Sequence, residues 1–302
     1  MMDPIKDTLK AYAPKTTSNE ALRDILNDPT FLKELHALGL GEEAIEENLP
    51  LVSSYQDDRA YCAHCPGLEA CQKDPNPQAA MKLVWLNGLL QREYSPCDLY
   101  MAKQRLLQGY LYRDFPEEWL SSMPNALGRS TRVKEALGTM ILASKNPEKP
   151  WAYFTGAMGS GRSFLLATYA NLLVSQGQSV AFINANKRFD ELKGMAISAR
   201  GLFEKKMADL ETCFLLVIDD FGSEFKSDYV RDQIVLPLLN ERAKNNRLTF
   251  FASDYTPDEI QTLYSSDKTA AIYAKSLANL IRSHLVKVSV VEKGFEAYLG
   301  KK

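Results

Sequence analysis

The chain has 302 residues, a formal net charge of −2, and a composition that is 45% hydrophobic and 25% charged. That is ordinary for a globular protein and long enough for two domains. The near-balanced charge excludes a global attraction to nucleic acid, so any such contact needs a local patch. No leader and no apolar run near 18 residues is evident, which sets the expectation of a cytoplasmic protein without a membrane partner.

In chain order, residues 1–16 carry Pro4 and Pro14 and read as loosely ordered, and 18–49 reads as short helices. Asp28-Pro29 opens a helix whose apolar positions Phe31, Leu32, Leu35 and Leu38 fall at helical spacing, closed by Gly39 or Gly41. Glu42, Glu43, Glu46 and Glu47 make an acidic helix, either a solvated face or a docking surface for a basic partner. Residues 61–71 then read Tyr-Cys-Ala-His-Cys-Pro-Gly-Leu-Glu-Ala-Cys. A Cys-x-x-Cys turn supplies two thiolates to one Zn²⁺, and tetrahedral zinc needs four ligands. Cys62, Cys65, Cys71 and Cys97 are the natural set, with Cys97 returned by a helix or hairpin over 79–94. His64, inside the turn, is poorer on geometry. Plain buried cysteines and a redox pair are the alternatives, the redox pair less favoured because no thioredoxin-like βαβ pattern surrounds the motif.

Lys103, Arg105 and Arg113 are interleaved with Tyr100, Tyr110, Tyr112, Phe115 and Trp119. Such a stretch either stacks on single-stranded nucleic acid or packs a linker onto the next domain. A helix follows over 129–144, with Val133, Ala136, Leu137, Met140 and Ile141 on its apolar face. The apolar strand Trp151–Phe154 then runs into Thr-Gly-Ala-Met-Gly-Ser-Gly-Arg-Ser and an apolar helix. Strand, glycine-rich turn and helix are the layout of a phosphate-binding loop, Gly-x-x-x-x-Gly-Lys-Ser/Thr. Gly156, Ala157, Met158, Gly159, Ser160, Gly161, Arg162, Ser163 and Phe164 are the candidate cradle. Its backbone N–H groups and the helix N-terminus suit a polyphosphate such as that of ATP. Arg162 stands where lysine is usual, and the exchange is not conservative at a tight site.

Downstream, Phe214-Leu-Leu-Val-Ile-Asp-Asp-Phe-Gly222 reads as a buried parallel strand with acids at its C-terminal edge, where open α/β sheets bind ligands. Asp219, with Ser163, is the candidate Mg²⁺ holder, and Asp220 is placed to orient or deprotonate an attacking water. Lys187, Arg188, Lys193, Arg200, Lys205 and Lys206 make the intervening helices the most basic part of this domain, a solvated face or a surface for a phosphate backbone. A helix over 228–245, a strand Leu248–Ala252 ending in Ser253-Asp254, a helical tail from 256 to 285 and a last strand over 286–292 complete the reading. Asp254 stands where a polar side chain would sense a γ-phosphate.

Three features together resemble one family: the amino-terminal Cys-x-x-Cys region, an AAA+-type loop, and Leu-Val-Ile-Asp-Asp-Phe-Gly222 followed by Thr-Phe-Phe-Ala-Ser-Asp254. They resemble the bacterial primosomal helicase loaders of the DnaI type, related to DnaC. The resemblance implies an α/β AAA+ domain with a parallel sheet, preceded by a small, mainly helical zinc domain. It implies that 1–105 binds the replicative helicase hexamer, that 106–128 is a linker, and that 129–302 binds ATP and single-stranded DNA. Other primosome proteins and self-association come with it as possible partners. Against the family pattern, Arg162 replaces lysine and Asp254 replaces asparagine. The later arginines are represented only by Lys275 and Arg282, with Ser276 and Leu280 standing where arginines belong. These departures set the expectation of slow or absent ATP hydrolysis. Competing readings are an IstB-like transposition helper, which lacks the Cys-x-x-Cys module, a nonenzymatic adaptor with a degenerate loop, and a P-loop kinase or small-molecule NTPase, for which no arginine-rich lid is apparent.

Overall fold

The computed structural model describes residues 18–73, 76–128 and 130–291. The expected loose start over 1–16, and Glu292 at the end of the expected last strand, lie outside the described residues. The chain divides into two compact units, Met1–Ala102 and Lys103–Lys302.

The first unit holds α1 (Ser18–Leu26), α2 (Pro29–Ala37), α3 (Glu42–Glu47), α4 (Leu49–Ala63) and an antiparallel pair, β1 (Ala79–Leu86) and β2 (Leu89–Pro96). Asp28 caps α2, its carboxylate accepting from Thr30 N at 3.0 Å and Phe31 N at 2.9 Å, and Pro29 takes a position whose N–H would be unpaired anyway. Ile25, Phe31, Leu35, Leu40, Ile45 and Val52 pack with Met81 and Leu83 of β1. The hairpin closes at Asn87-Gly88, both at positive φ (53° and 78°), the left-handed conformation that a two-residue turn between twisted strands requires. Of the helix and hairpin left open for 79–94, the hairpin is the one formed. The division between the units falls within α5 (Asp98–Gly109).

The second unit is built on a six-stranded sheet in the order β3-β5-β6-β7-β4-β8, every adjacent pair parallel. Its strands are β3 (Tyr110–Arg113), β4 (Trp151–Gly156), β5 (Val180–Asn184), β6 (Leu215–Asp219), β7 (Leu248–Ser253) and β8 (Leu285–Val291). The central strands are buried residue after residue, because both faces are covered and neither can be polar. On one face α6 (Thr131–Lys145) and α7 (Arg162–Ser175) contribute Val133, Met140, Leu165 and Leu173. On the other, α8 (Ala185–Ser198), α9 (Arg200–Thr212), α10 (Leu236–Lys244) and α12 (Lys268–His284) contribute Phe189, Leu210, Leu238 and Leu277. The helix expected over 228–245 is a π-helix, Val230–Val235, passing into α10. Pro237, at the start of α10, has no N–H to return to the turn before it, so the regular ladder is interrupted there. The short α11 (Pro257–Leu263) starts on a capping box formed by Thr256 and Glu259.

Residues 106–128 are not a tether. Tyr110–Arg113 is an edge strand of the main sheet, and Phe115, Leu120 and Leu127 are core residues. Trp119 meets Phe164 edge-on at 5.3 Å, and Tyr110 Oη donates to Asn171 Oδ1 at 2.7 Å. These aromatics are used for packing, which is why they are dense in a stretch that must close one face of the sheet.

The order of strands positions the site. β7 lies between β4 and β6, with Thr155 opposite Ser253 and Ile218 opposite Phe251. The loop after β4, the two acids after β6 and Asp254 after β7 therefore emerge at one C-terminal edge.

Candidate nucleotide site

The loop bends through glycines in conformations that L side chains rarely adopt. Gly159 and Gly161 have φ of 78° and 90°, and α7 begins immediately at Arg162. Gly156 is required for another reason: a Cβ there would lie 2.0 Å from Val291 O of β8. Ala157, Met158 and Gly159 are exposed, so the crest of the loop is open. Ser160 is buried, and its Oγ has no hydrogen-bond partner, an orphaned polar atom inside the loop.

Ser163, in the first turn of α7, donates from Oγ to Asp219 Oδ1 at 2.8 Å. The two residues expected to share Mg²⁺ are thus in contact. Asp219 is buried, and its pKa is pushed up to about 7, first by burial and then by the neighbouring Asp220 charge. Asp220 is exposed, with φ of 54°, and accepts from Asn184 Nδ2 at 2.9 Å. Asn184 also caps α8 through Lys187 N at 3.2 Å. The donor set at this edge, a hydroxyl and two carboxylates, is oxygen-only and suits a hard divalent cation.

Arg162 does not reach toward the open side of the loop. Its guanidinium is buried and donates to the carbonyls of Gly156 and Ser253 and to Asp254 Oδ1. Asp254, with a side chain 44% exposed, is therefore a partner of Arg162 and not a lone negative charge. Ser253 Oγ donates to Phe221 O at 2.5 Å, tying the end of β7 to the turn after Asp220. Phe164 is taken up by Trp119. Arg282 lies on α12, paired with Asp258 Oδ1 at 2.9 Å and donating to Asn279 and Gln261.

Two groups here gave no motif. Asn184 reaches Asp220, and Asp114 accepts from Asn184 N at 3.2 Å and from Arg188 and Lys187. A carboxylate in the stretch read as a linker carries no local signal for either contact.

Among the described residues no group of three or more His, Cys, Asp or Glu side chains is gathered as a metal centre. Cys62 Sγ accepts from Lys73 Nζ at 3.4 Å, Cys71 Sγ from Gln78 N at 3.3 Å, and Cys97 Sγ from Tyr100 N at 3.5 Å. Gln78 links two of them, since its carbonyl accepts from Cys97 N at 2.9 Å. The Cys71 thiol is held below its ordinary pKa, chiefly by the Gln78 N–H. Cys65 is exposed, and His64 Nδ1 lies 3.2 Å from Ala60 O.

No protein-family model matches the chain. It is 27% identical over 282 residues to the replicative helicase loader DnaI of Bacillus subtilis (strain 168), covering 86% of this chain and 87% of that protein. It is 27% identical over 110 residues to the replicative helicase loader DnaC of Escherichia coli (strain K12), covering 36% of this chain and 44% of that one. A crystal structure of DnaI superposes with a TM-score of 0.52 at 22% identity, over 62% of this chain and 96% of that one, and shares its fold. No helix among the described residues is long and apolar enough to cross a membrane.

Proposed function

We propose that this chain, which is similar to the DnaI-type replicative helicase loaders over most of its length, is itself a helicase loader that binds a replicative DNA helicase and delivers it to DNA. One observation carries the reading: the similarity to DnaI extends over 86% of the chain and therefore includes both units, not the sheet domain alone. A transposition helper or a kinase would be expected to match over the nucleotide domain only. The second unit is read as an AAA+ module in which residues 156–164 cradle the phosphates of ATP and Ser163 with Asp219 holds Mg²⁺. The contact between Ser163 and Asp219 and the orphaned Ser160 hydroxyl support that reading. Magnesium would supply charge neutralisation at the phosphates, and Asp220 is the group that would hold a water.

The first unit is read as the helicase-binding module. Zinc on Cys62, Cys65, Cys71 and Cys97 would fix its loop between α4 and β1. The Gln78 N–H already directed at Cys71 Sγ favours a thiolate there, and the Tyr100 N–H is directed at Cys97 Sγ. Single-stranded DNA is assigned to the basic face of α8 and α9, where Arg200 and Lys205 stand.

The test is capture of the cognate replicative helicase by the full chain, with and without a zinc chelator. Capture at a defined stoichiometry, followed by helicase transfer to single-stranded DNA, is the expected result. No capture in either condition would sink the loader reading and leave an adaptor with a different partner.

A further inference from the structure

Arg162 and Asp254 are the two departures from the usual loop and from the usual polar end of the neighbouring strand, and they meet in one contact. We propose that they form a latch that makes this a nucleoside-diphosphate site. Asp254 positions the Arg162 guanidinium away from the mouth of the loop and sets a carboxylate at the rim where a third phosphate would lie. The inference rests on the nucleotide reading above and specifies which nucleotide the site retains.

The geometry explains why the two departures belong together. Arginine has five N–H donors in a planar fork. Three hydrogen bonds leave this fork, to Gly156 O at the end of β4, to Ser253 O at the end of β7, and to Asp254 Oδ1 just beyond it. The strands are adjacent and in register there, so one planar group spans both ends. An ammonium has donors enough for three acceptors, but it is a compact point charge without the planar fork that spans both strand ends. With asparagine at 254, the arginine would lose its charged anchor. With lysine at 162, the aspartate would face the site unpaired. Each substitution therefore makes the other tolerable.

The consequence for ligands follows from what each phosphate needs. The α- and β-phosphates are held by loop N–H groups and the helix N-terminus, which need no side chain at 162. A side-chain cation ordinarily reaches the β- and γ-phosphates, and of the two the γ-phosphate lacks the backbone cradle. Here that cation is 5% exposed and engaged, while Asp254 is 44% exposed. With Mg²⁺ held by Ser163 and Asp219, the carboxylate left at the rim is that of Asp254, so a third phosphate meets that charge and an occupied guanidinium. Freeing Arg162 to meet it would strand the Ser253 carbonyl and the Asp254 charge together.

The experiment uses the full chain with Mg²⁺ and a fluorescent ADP, displaced by unlabelled ADP or by a non-hydrolysable ATP analogue. The wild-type chain should bind the diphosphate about tenfold or more tightly than the analogue, a ratio that corresponds to about 1.4 kcal/mol per decade. Asp254→Asn should raise affinity for the analogue about tenfold while changing that for ADP by less than about threefold. The double variant Arg162→Lys/Asp254→Asn should close the gap as well, which guards against a local folding defect in either single variant. A role in packing alone would shift both nucleotides equally. An unchanged ratio in both variants, or a wild-type preference for the triphosphate, overturns the latch and leaves the nucleotide site standing. If neither the wild type nor any variant binds either nucleotide, the nucleotide reading itself fails and the latch fails with it.

Discussion

Asp219→Asn should make the chain more stable, by an amount that grows with pH. Asp219 is 7% exposed, and its pKa is pushed up to about 7, by burial first and by Asp220 second, against the lowering effect of the Ser163 hydrogen bond. In the unfolded chain the same carboxyl titrates near about 3.9. Between about pH 4 and about pH 7 the native state therefore keeps a proton that the unfolded state has lost, and stability falls by about 1.4 kcal/mol per pH unit. The contribution is complete below the unfolded value and is lost as pH rises through the folded one. The shift of about three units sums to about 4 kcal/mol, as an order of magnitude. Asparagine has the same shape, carries no charge and can still accept from Ser163 Oγ. Urea unfolding in the presence of a chelator, from about pH 5 to about pH 8, should show the variant ahead by about 1.4 kcal/mol at the acid end and about 4 kcal/mol at the alkaline end. Magnesium with ADP should then favour the wild type selectively, because only a carboxylate answers the cation. A gap that does not change with pH, or a wild type more stable than the variant at the alkaline end, would refute the assignment of Asp219 as a buried, strained acid.

Three further outcomes are expected. Gly156→Ala places a methyl group 2.0 Å from Val291 O at a φ of 154°, and should cost about 2 kcal/mol or more, read as a lowered melting temperature. Arg242 is fully buried and donates to the carbonyls of Leu210, Cys213 and Leu248 and to Thr249 Oγ1, so Arg242→Met should strand several acceptors and cost about 3 kcal/mol in urea unfolding. The chain as purified should carry about one zinc, measured by elemental analysis, and Cys71→Ser or Cys97→Ser should lose it; a metal-free wild type would remove zinc from the first unit.

The parts of the molecule that were legible in sequence are those encoded locally. The strand, the glycine turn and the apolar helix from Trp151 to Val174 carry their own periodicity, and the apolar run ending in Asp219-Asp220 carries its own burial. The hairpin was also legible in principle, since Asn87-Gly88 between apolar stretches is a strong turn signal. Its first strand shows no clear period, because Leu83-Val84-Trp85-Leu86 is a continuous apolar run. β3 was hidden for a different reason. Four residues, Tyr-Leu-Tyr-Arg, are too few to show a period, and the strand is defined by its partner β5, not by itself. Arg162 and Asp254 were each conspicuous, but their contact joins residues 92 apart, and single-position reasoning assigned each its own relation to a phosphate. The cysteines show the same limit: spacing identifies the candidates, while the positions of the sulfurs depend on Lys73 and Gln78.

Asp114 is the sharpest test of how the 106–128 stretch belongs to the sheet domain. Its side chain is 3% exposed, and it accepts from Arg188 Nε at 2.6 Å, from a second Arg188 nitrogen at 2.7 Å and from Lys187 Nζ at 2.9 Å. Burial would raise its pKa, but Arg188, Lys187 and the Asn184 N–H outweigh burial and hold it below 3.8. A lowered folded value means stability that is present above the unfolded pKa and lost only as pH falls through the folded one, so the contribution should be flat across neutral pH. Asp114→Ala leaves Arg188, which stacks 4.8 Å over Tyr112, with Glu191 as its remaining carboxylate. Breaking a buried pair from one side costs about 3–5 kcal/mol, and the lower end applies because Glu191 remains. A double-mutant cycle with Arg188→Met should recover at least about 1.5 kcal/mol of coupling. Strict additivity would mean that the two residues do not act together. In that case Asp114 would not tie the segment after the Tyr110–Arg113 strand to the helix that carries Arg188.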